Sequence, residues 1–251
     1  MKEFRTSLGT FKCGDALQLI EELGEGTVDC VITDPPFGLG MDKYDDIQVF
    51  FEIEDKLWKV LKKDAWLVFY FTTKKLLEVA KLKKFKFVWM LCCLFHSTIS
   101  KTVLGDRSYI PIMVFKKGNP KVVYRRSDIV YADELPLIQA KVKDPQFKPT
   151  MATASLLQMF TKPSDLVLDP FAGYGSIPLV CEIFGRKWVA FEIDPFKFEV
   201  ARKFIVEREV VDIKALRQKD KTPPQLTPLM QSRLISPPSN HYERKNKGCE
   251  S

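Results

Sequence analysis

Val167-Leu168-Asp169-Pro170-Phe171-Ala172-Gly173-Tyr174-Gly175-Ser176 is the stretch on which the architecture turns. A short apolar run beginning at Leu166 stops at an aspartate, and a turn carrying two glycines leads into apolar residues at helical spacing from about Gly175. Glycines there let the backbone come close to a ligand, and the helix start leaves N–H groups free to meet it. An open α/β sheet presents a ligand in this way, at the carboxyl ends of its strands.

The same pattern recurs on both sides of this stretch. Upstream, the apolar run Val28 to Thr33 stops at Asp34-Pro35-Pro36-Phe37-Gly38. Downstream, Trp188 to Phe191 ends at Glu192-Ile193-Asp194, and Pro195 opens a final helix to about Val211. Further strands are predicted at Thr10 to Cys13, Trp66 to Phe71, Phe87 to Phe95 and Tyr109 to Phe115. The last two should pair antiparallel, because Ser97 to Ser108 has too little helical character to cross over. One or two short strands are expected around Val122 and Ile129. Helices are predicted after Asp15, over Asp45 to Lys62, over Thr73 to Lys84, and over Met151 to Phe160 with Thr150 as cap. The fold class is α/β: a doubly wound, mainly parallel sheet with helices on both faces and one antiparallel hairpin strand at an edge. Asp34 and Asp169 should end neighbouring strands where the winding reverses.

The chemistry of these strand ends is specific. About twenty residues beyond the glycine turn, Glu192 arrives where an acid can accept both hydroxyls of a ribose. A dinucleotide loop is the rival reading, but Pro178 occupies the position of its third glycine. Asp169 suits a ligand with a cationic amine, such as the methionine part of S-adenosylmethionine. At the other strand end, the Asp34 carboxylate and the Pro35 carbonyl are two acceptors suited to the N–H bonds of a planar amine. Such an amine is a poor nucleophile because its lone pair is delocalised, and two acceptors favour a pyramidal nitrogen and steady its developing charge. Pro35 and Pro36 fix the direction of that carbonyl, and Phe37 offers a face on which a flipped base can stack. A covalent mechanism at cytosine C5 would need a cysteine in this turn, and none is there.

These residues carry a family resemblance. The chain resembles the beta-class DNA amino-methyltransferases, which make N6-methyladenine or N4-methylcytosine. In that family a DPPY/F/W or SPPY block precedes an FxGxG block, and here Asp34 to Phe37 precede Phe171 to Gly175. Gly14-Asp15-Ala16-Leu17 is similar to the family's GD-x-L element, whose aspartate contacts the cofactor adenine. Phe147-Lys148-Pro149 resembles its QKP element, which borders the methionine part. The resemblance spans about residues 10–210. It implies a seven-stranded Rossmann-like methyltransferase domain and S-adenosylmethionine as cofactor. Asp34, Pro35, Pro36 and Phe37 would be catalytic. Asp15, Ala16, Lys148, Asp169, Phe171, Gly173, Gly175, Ser176, Glu192 and Asp194 would bind the cofactor. The family's loop is commonly GSGT, whereas this chain reads Gly173-Tyr174-Gly175-Ser176, which keeps a hydroxyl. The aspartate form of the catalytic block is the commoner one in the adenine enzymes, so N6 of adenine is the expected acceptor. N4 of cytosine, an RNA acceptor, and a nucleic-acid-binding protein with a vestigial cofactor pocket are the alternatives.

Composition bounds the rest. With 251 residues, 45% of them hydrophobic, the chain can bury the core of one α/β domain. That domain is expected over residues 1–216, with 117–147 as a short target-recognition insert. The net charge is +7, but residues 214–251 hold 8 Lys and Arg against 3 Asp and Glu, which leaves +2 for residues 1–213. Residues 217–251, with proline pairs at 223–224 and 237–238, read as a basic, disordered tail that would attract DNA without specificity. DNA is the expected partner, RNA stays an alternative, and a homodimer is left open. No apolar run approaches the length of a membrane span, so the sequence predicts a soluble, cytoplasmic protein without membrane contact. Six cysteines without CxxC spacing signal neither zinc nor a disulfide framework, and no metal site is expected. His96 reads as a strand-edge residue bonded locally, and Asp42, Asp45 and Asp46 as a loop and a helix cap.

Overall fold

The computed structural model describes residues 2–40, 43–133 and 147–207. The tail, the last residues expected of the final helix, and residues 134–146 of the expected recognition insert lie outside them. In chain order the elements are β1 (Lys2–Arg5), β2 (Gly9–Cys13), α1 (Ala16–Leu19) with a 3₁₀ turn over Ile20–Glu22, and β3 (Val28–Thr33). Then come α2 (Ile47–Glu52), α3 (Glu54–Val60), β4 (Leu61–Tyr70), a 3₁₀ stretch Thr73–Lys81, and β5 (Lys86–Leu94). A small hairpin of β6 (Ser100–Thr102) and β7 (Gly105–Arg107) precedes β8 (Tyr109–Lys117) and β9 (Ile129–Tyr131). The chain continues through α4 (Thr150–Phe160), β10 (Leu166–Asp169), α5 (Ser176–Ile183), β11 (Lys187–Glu192) and α6 (Pro195–Ile205).

The main sheet is ordered β1-β2-β11-β10-β3-β4-β8-β5-β9. Its seven central strands are those the sequence predicts, with β8 antiparallel between β4 and β5. The sheet nevertheless has nine strands, not seven. β1 adds antiparallel to β2, and β9 adds parallel to β5. β9 is the short strand expected around Ile129, whereas β1 is not among the predicted strands, because an edge strand of four residues covers open N–H and C=O groups without leaving a readable alternation. Phe4 of β1 closes that end by packing its ring 5.2 Å from Phe11 and 5.4 Å from Phe198.

Strand alternation divides the core between two faces. Cys30, Ile32, Trp66, Val68 and Tyr70 point to one side and pack with α4, α5 and α6 through Leu156, Leu157, Val180 and Phe204. Val31, Leu67 and Phe69 point to the other, against Phe50, Leu57 and Val60 of α2 and α3. Burial on both sides is why these strands read as unbroken apolar runs.

Local differences from the sequence reading have identifiable causes. The predicted helix over Asp45 to Lys62 breaks into α2 and α3 at Ile53, and Leu61 already begins β4. Thr73–Lys81 is 3₁₀ rather than α. Its inward residues Leu76, Val79 and Leu82 recur every third position, which matches three residues per turn. Thr150 is the first residue of α4 rather than its cap, and Pro149, at φ −55° and ψ 121°, takes the cap position. No strand forms around Val122. Among the described residues no helix is long and apolar enough to cross a membrane.

Candidate active site

β3 and β10 are parallel neighbours in register at Val167 with Cys30 and Leu168 with Val31. Asp34 therefore leaves β3 beside the end of β10 at Asp169. From this pair the sheet is built outward in opposite directions, to β4 on one side and to β11 on the other. A reversal of this kind opens a crevice at the carboxyl edge. Here it is a cavity of about 790 Å³, and every residue predicted for the site lines it except Gly175 and Asp194.

Those two residues shape the walls instead. Gly175 holds φ +79° at the start of α5, where a Cβ would stand 2.8 Å from Ala201 Cβ. Only glycine combines that backbone with so close a helix contact. Asp194 caps α6 by accepting from the Phe196 N–H at 2.8 Å. Asp15 caps α1 in the same way, accepting from Leu17 at 2.9 Å.

The glycine loop is tied to the end of β11. Glu192, almost fully buried, accepts from the Gly173 N–H through Oε2 and from the Asp194 N–H through Oε1, each at 2.7 Å. Burial raises its carboxyl above the ordinary range, and these two N–H groups and Lys197 work against that rise. Each oxygen of a carboxylate keeps further lone pairs after one such bond. Asp169 is more extreme. Thr33 Oγ1 donates to its Oδ1 at 2.7 Å, while Oδ2 is buried without a hydrogen-bond partner. Burial pushes this carboxyl up to about 8. Gly173, at φ +55°, has open space where a Cβ would stand.

The Asp34 side of the cavity is built by residues from distant segments. Lys148 Nζ lies 2.7 Å from Asp34 Oδ2, and the other oxygen, Oδ1, is buried without a partner. Burial raises the Asp34 carboxyl, and Lys148 opposes this by charge and hydrogen bond. The Lys148 ammonium also stands 5.8 Å from the Phe37 ring centre and 5.9 Å from that of Tyr70. Its backbone N–H faces Ser176 Oγ at 3.3 Å. Lys148 thus touches both the Asp34 side and the glycine-loop side. Phe37 meets Phe71 edge to face at 5.8 Å.

The sequence marks Asp45 only as part of a loop or cap, and the structure gives it more to do. Its carboxylate accepts from three successive N–H groups, Phe37 at 2.7 Å, Gly38 at 2.8 Å and Leu39 at 2.7 Å. It thereby fixes the turn that carries Phe37. Asp46 is the helix cap, accepting from Gln48 at 2.9 Å. His96 bonds to Asp133, 37 residues along the chain, and stacks on Tyr131, so its partners come from the neighbouring strand segment and not from its own turn.

Comparison with known proteins places this geometry. A family model for DNA methylase matches residues 139–203, and one for an RMKL-like methyltransferase domain matches residues 6–91. The chain is similar to the putative methylase YubD of Escherichia coli K12, 23% identical over 202 residues, covering 74% of this chain and 85% of that protein. Both family models are of methyltransferases, and each matches less than half of the chain. Solved structures share the fold. The cytosine-N4-specific PvuII DNA methyltransferase superposes with a TM-score of 0.66 at 20% identity, covering 91% of this chain and 93% of that one. The M1.HpyAVI complex with SAM superposes at 0.62 and 19% identity, covering 78% and 99%.

Proposed function

We propose that this chain transfers a methyl group from S-adenosylmethionine to the exocyclic amino group of a base flipped out of DNA, with N6 of adenine as the acceptor. One observation carries the reading: Asp34 and Asp169, each with one buried oxygen lacking a partner, end adjacent parallel strands in a single cavity. A buried carboxyl oxygen without a donor is costly, so each marks a place where a ligand N–H belongs.

The residues on the glycine-loop side fit the cofactor. Asp169 Oδ2 offers an acceptor for its ammonium group, Glu192 has lone pairs left for ribose hydroxyls, and the space over Gly173 admits the ligand against backbone. Asp15 and Ala16, at the start of α1, line the part of the cavity assigned to the adenine. When bound, S-adenosylmethionine supplies the electrophilic methyl group.

On the other side, Lys148 holds Asp34 Oδ2 and leaves Oδ1 to accept an N–H of the target amine. The Pro35 carbonyl takes the second N–H, and together they steady the positive charge that builds on nitrogen. Phe37, anchored through Asp45, supplies the stacking face. Holding donor and acceptor sites on neighbouring strands supplies orientation, so no covalent enzyme intermediate is needed. The setting proposed for this reaction is the cytoplasm.

The test is to incubate purified protein with methyl-labelled S-adenosylmethionine and DNA, then digest to nucleosides for mass spectrometry. N6-methyladenine is expected. N4-methylcytosine would replace the acceptor while keeping the site, and label in RNA but not DNA would overturn the polymer.

A further inference from the structure

The hairpin of β6 and β7 exposes what a protein surface ordinarily covers. Its pairs are Ser100 with Arg107, Lys101 with Asp106 and Thr102 with Gly105, so Val103 and Leu104 form the tip. Both side chains stand wholly in solvent, at 101% and 97% exposure. The tip is nonetheless firmly made. Thr102 Oγ1 donates to the Gly105 carbonyl at 3.0 Å and accepts from the Leu104 N–H at 3.1 Å. Gly105 turns the chain at φ +121°, and Arg107 Nε donates to Ser100 Oγ at 2.9 Å.

The hairpin's position gives this tip a meaning. β5 and β4 are both antiparallel to β8, so β5 runs parallel to β4 and ends on the same sheet edge as Asp34 and Asp169. The hairpin follows directly, and the residues at its base, Ile99 and Arg107, line the cavity. Three residues per strand at about 3.3 Å each carry the tip roughly 10 Å from that base. Lys101 and Arg107 against Asp106 leave its stem cationic. An apolar pair on a hydrogen-bonded, basic stem that is rooted in the lining of this cavity has the chemistry of a wedge that enters a base stack.

Resting on the DNA reading above, we infer that Val103 and Leu104 insert into duplex DNA beside the target, open the stack, and help the target base leave its pair. The tip contributes before methyl transfer, since it is not among the cavity residues that face the reacting groups.

The test compares the wild type with the double variant Val103→Ser, Leu104→Ser on two substrates. One is a duplex carrying the sequence that the wild type methylates, and the other is the same duplex with an abasic site opposite the target base. An unpaired target needs less opening, so kcat/KM of the variant should fall at least roughly tenfold on the paired duplex and stay within about twofold on the unpaired one. Fluorescence of 2-aminopurine beside the target should rise on binding of the wild type and less on binding of the variant. Equal loss on both substrates, or loss on neither, would overturn the inference. So would a drop in oligomer size by light scattering, which would assign the tip to self-association. If the wild type methylates no duplex DNA of any sequence, the DNA reading itself fails, whereas once a methylated sequence is in hand the comparison decides the role of the tip.

Discussion

The Lys148 ammonium and the Asp34 carboxylate form a close, largely enclosed ion pair, with side chains 6% and 19% exposed, in the lining of a single cavity. They come from opposite halves of the chain. A charge-assisted bond in such surroundings fixes geometry as much as charge. It commits one oxygen of Asp34 to Lys148 and leaves the other buried without a partner. Burial raises the Asp34 carboxyl and Lys148 restrains that rise. Lys148→Met should therefore raise it further, and the acid limb of kcat/KM should move to higher pH. Activity lost near neutrality should partly return in alkaline buffer, and Lys148→Arg should keep the limb close to its original place. An acid limb that does not move in Lys148→Met would remove the pair from the mechanism.

Asp34 itself should matter for the chemical step rather than for the cofactor. Asp34→Ala is expected to lower kcat by at least about two orders of magnitude, the scale of a lost transition-state electrostatic group. Calorimetric affinity for S-adenosylmethionine should change little. Near-normal turnover would show that another group accepts from the amine.

Asp169 makes a prediction about stability. Its carboxyl sits at about 8 in the fold against an ordinary 3.8, so between these values the folded state holds a proton that the unfolded chain releases. Linkage then requires the fold to lose stability as pH rises through that window, and to level off above it. Asp169→Asn should flatten this dependence. Thermal melting of both proteins from pH 4 to pH 9 reads the difference. A parallel pair of curves would mean that Asp169 is ionised throughout.

The cofactor side separates ligand binding from chemistry. Glu192→Gln puts an amide N–H₂ against one of the two backbone N–H groups that the carboxylate accepts from, and weakens acceptance from a ribose. Titration calorimetry should show weaker binding of S-adenosylmethionine, by roughly tenfold for the loss of a charged acceptor. Asp15→Ala should also weaken it. Preferential binding of a nicotinamide dinucleotide to the wild type would overturn the cofactor assignment.

Asp45 tests the value of a fixed turn. Asp45→Ala frees the N–H groups of Phe37, Gly38 and Leu39 that it now holds. Loss of positioning at a reacting centre commonly costs between one and two orders of magnitude, so kcat/KM should fall by about that much. The dissociation constant of S-adenosylmethionine should not move. Weaker cofactor binding would place the clamp elsewhere in the function.

Much of the site was legible because each component is a local signal. Asp34 and Asp169 each end an apolar run, Gly173 and Gly175 mark a turn that needs positive φ, and Glu192 follows at strand spacing. The central seven strands were legible for the same reason, since burial on both faces writes itself as continuous apolar sequence. β9 is legible as the short strand expected around Ile129, but β1 is not, because an edge strand of four residues is defined by the neighbour it pairs with. The 3₁₀ stretch escaped because a basic segment with some apolar residues fits an α-helix nearly as well until its every-third pattern meets the core.

What the sequence determined by itself is the set of chemical groups and the order in which strands deliver them, since these depend on residue type and short-range periodicity. The tertiary structure decided how those groups divide their bonds. It put Lys148 on Asp34, Thr33 on Asp169 and Asp45 under the Phe37 turn, and left one oxygen of each of the two aspartates buried without a partner. It also set the wholly apolar tip of Val103 and Leu104 on a hairpin rooted in the cavity lining. Pairings of this kind depend on distance and burial in three dimensions, and no spacing along the chain encodes them.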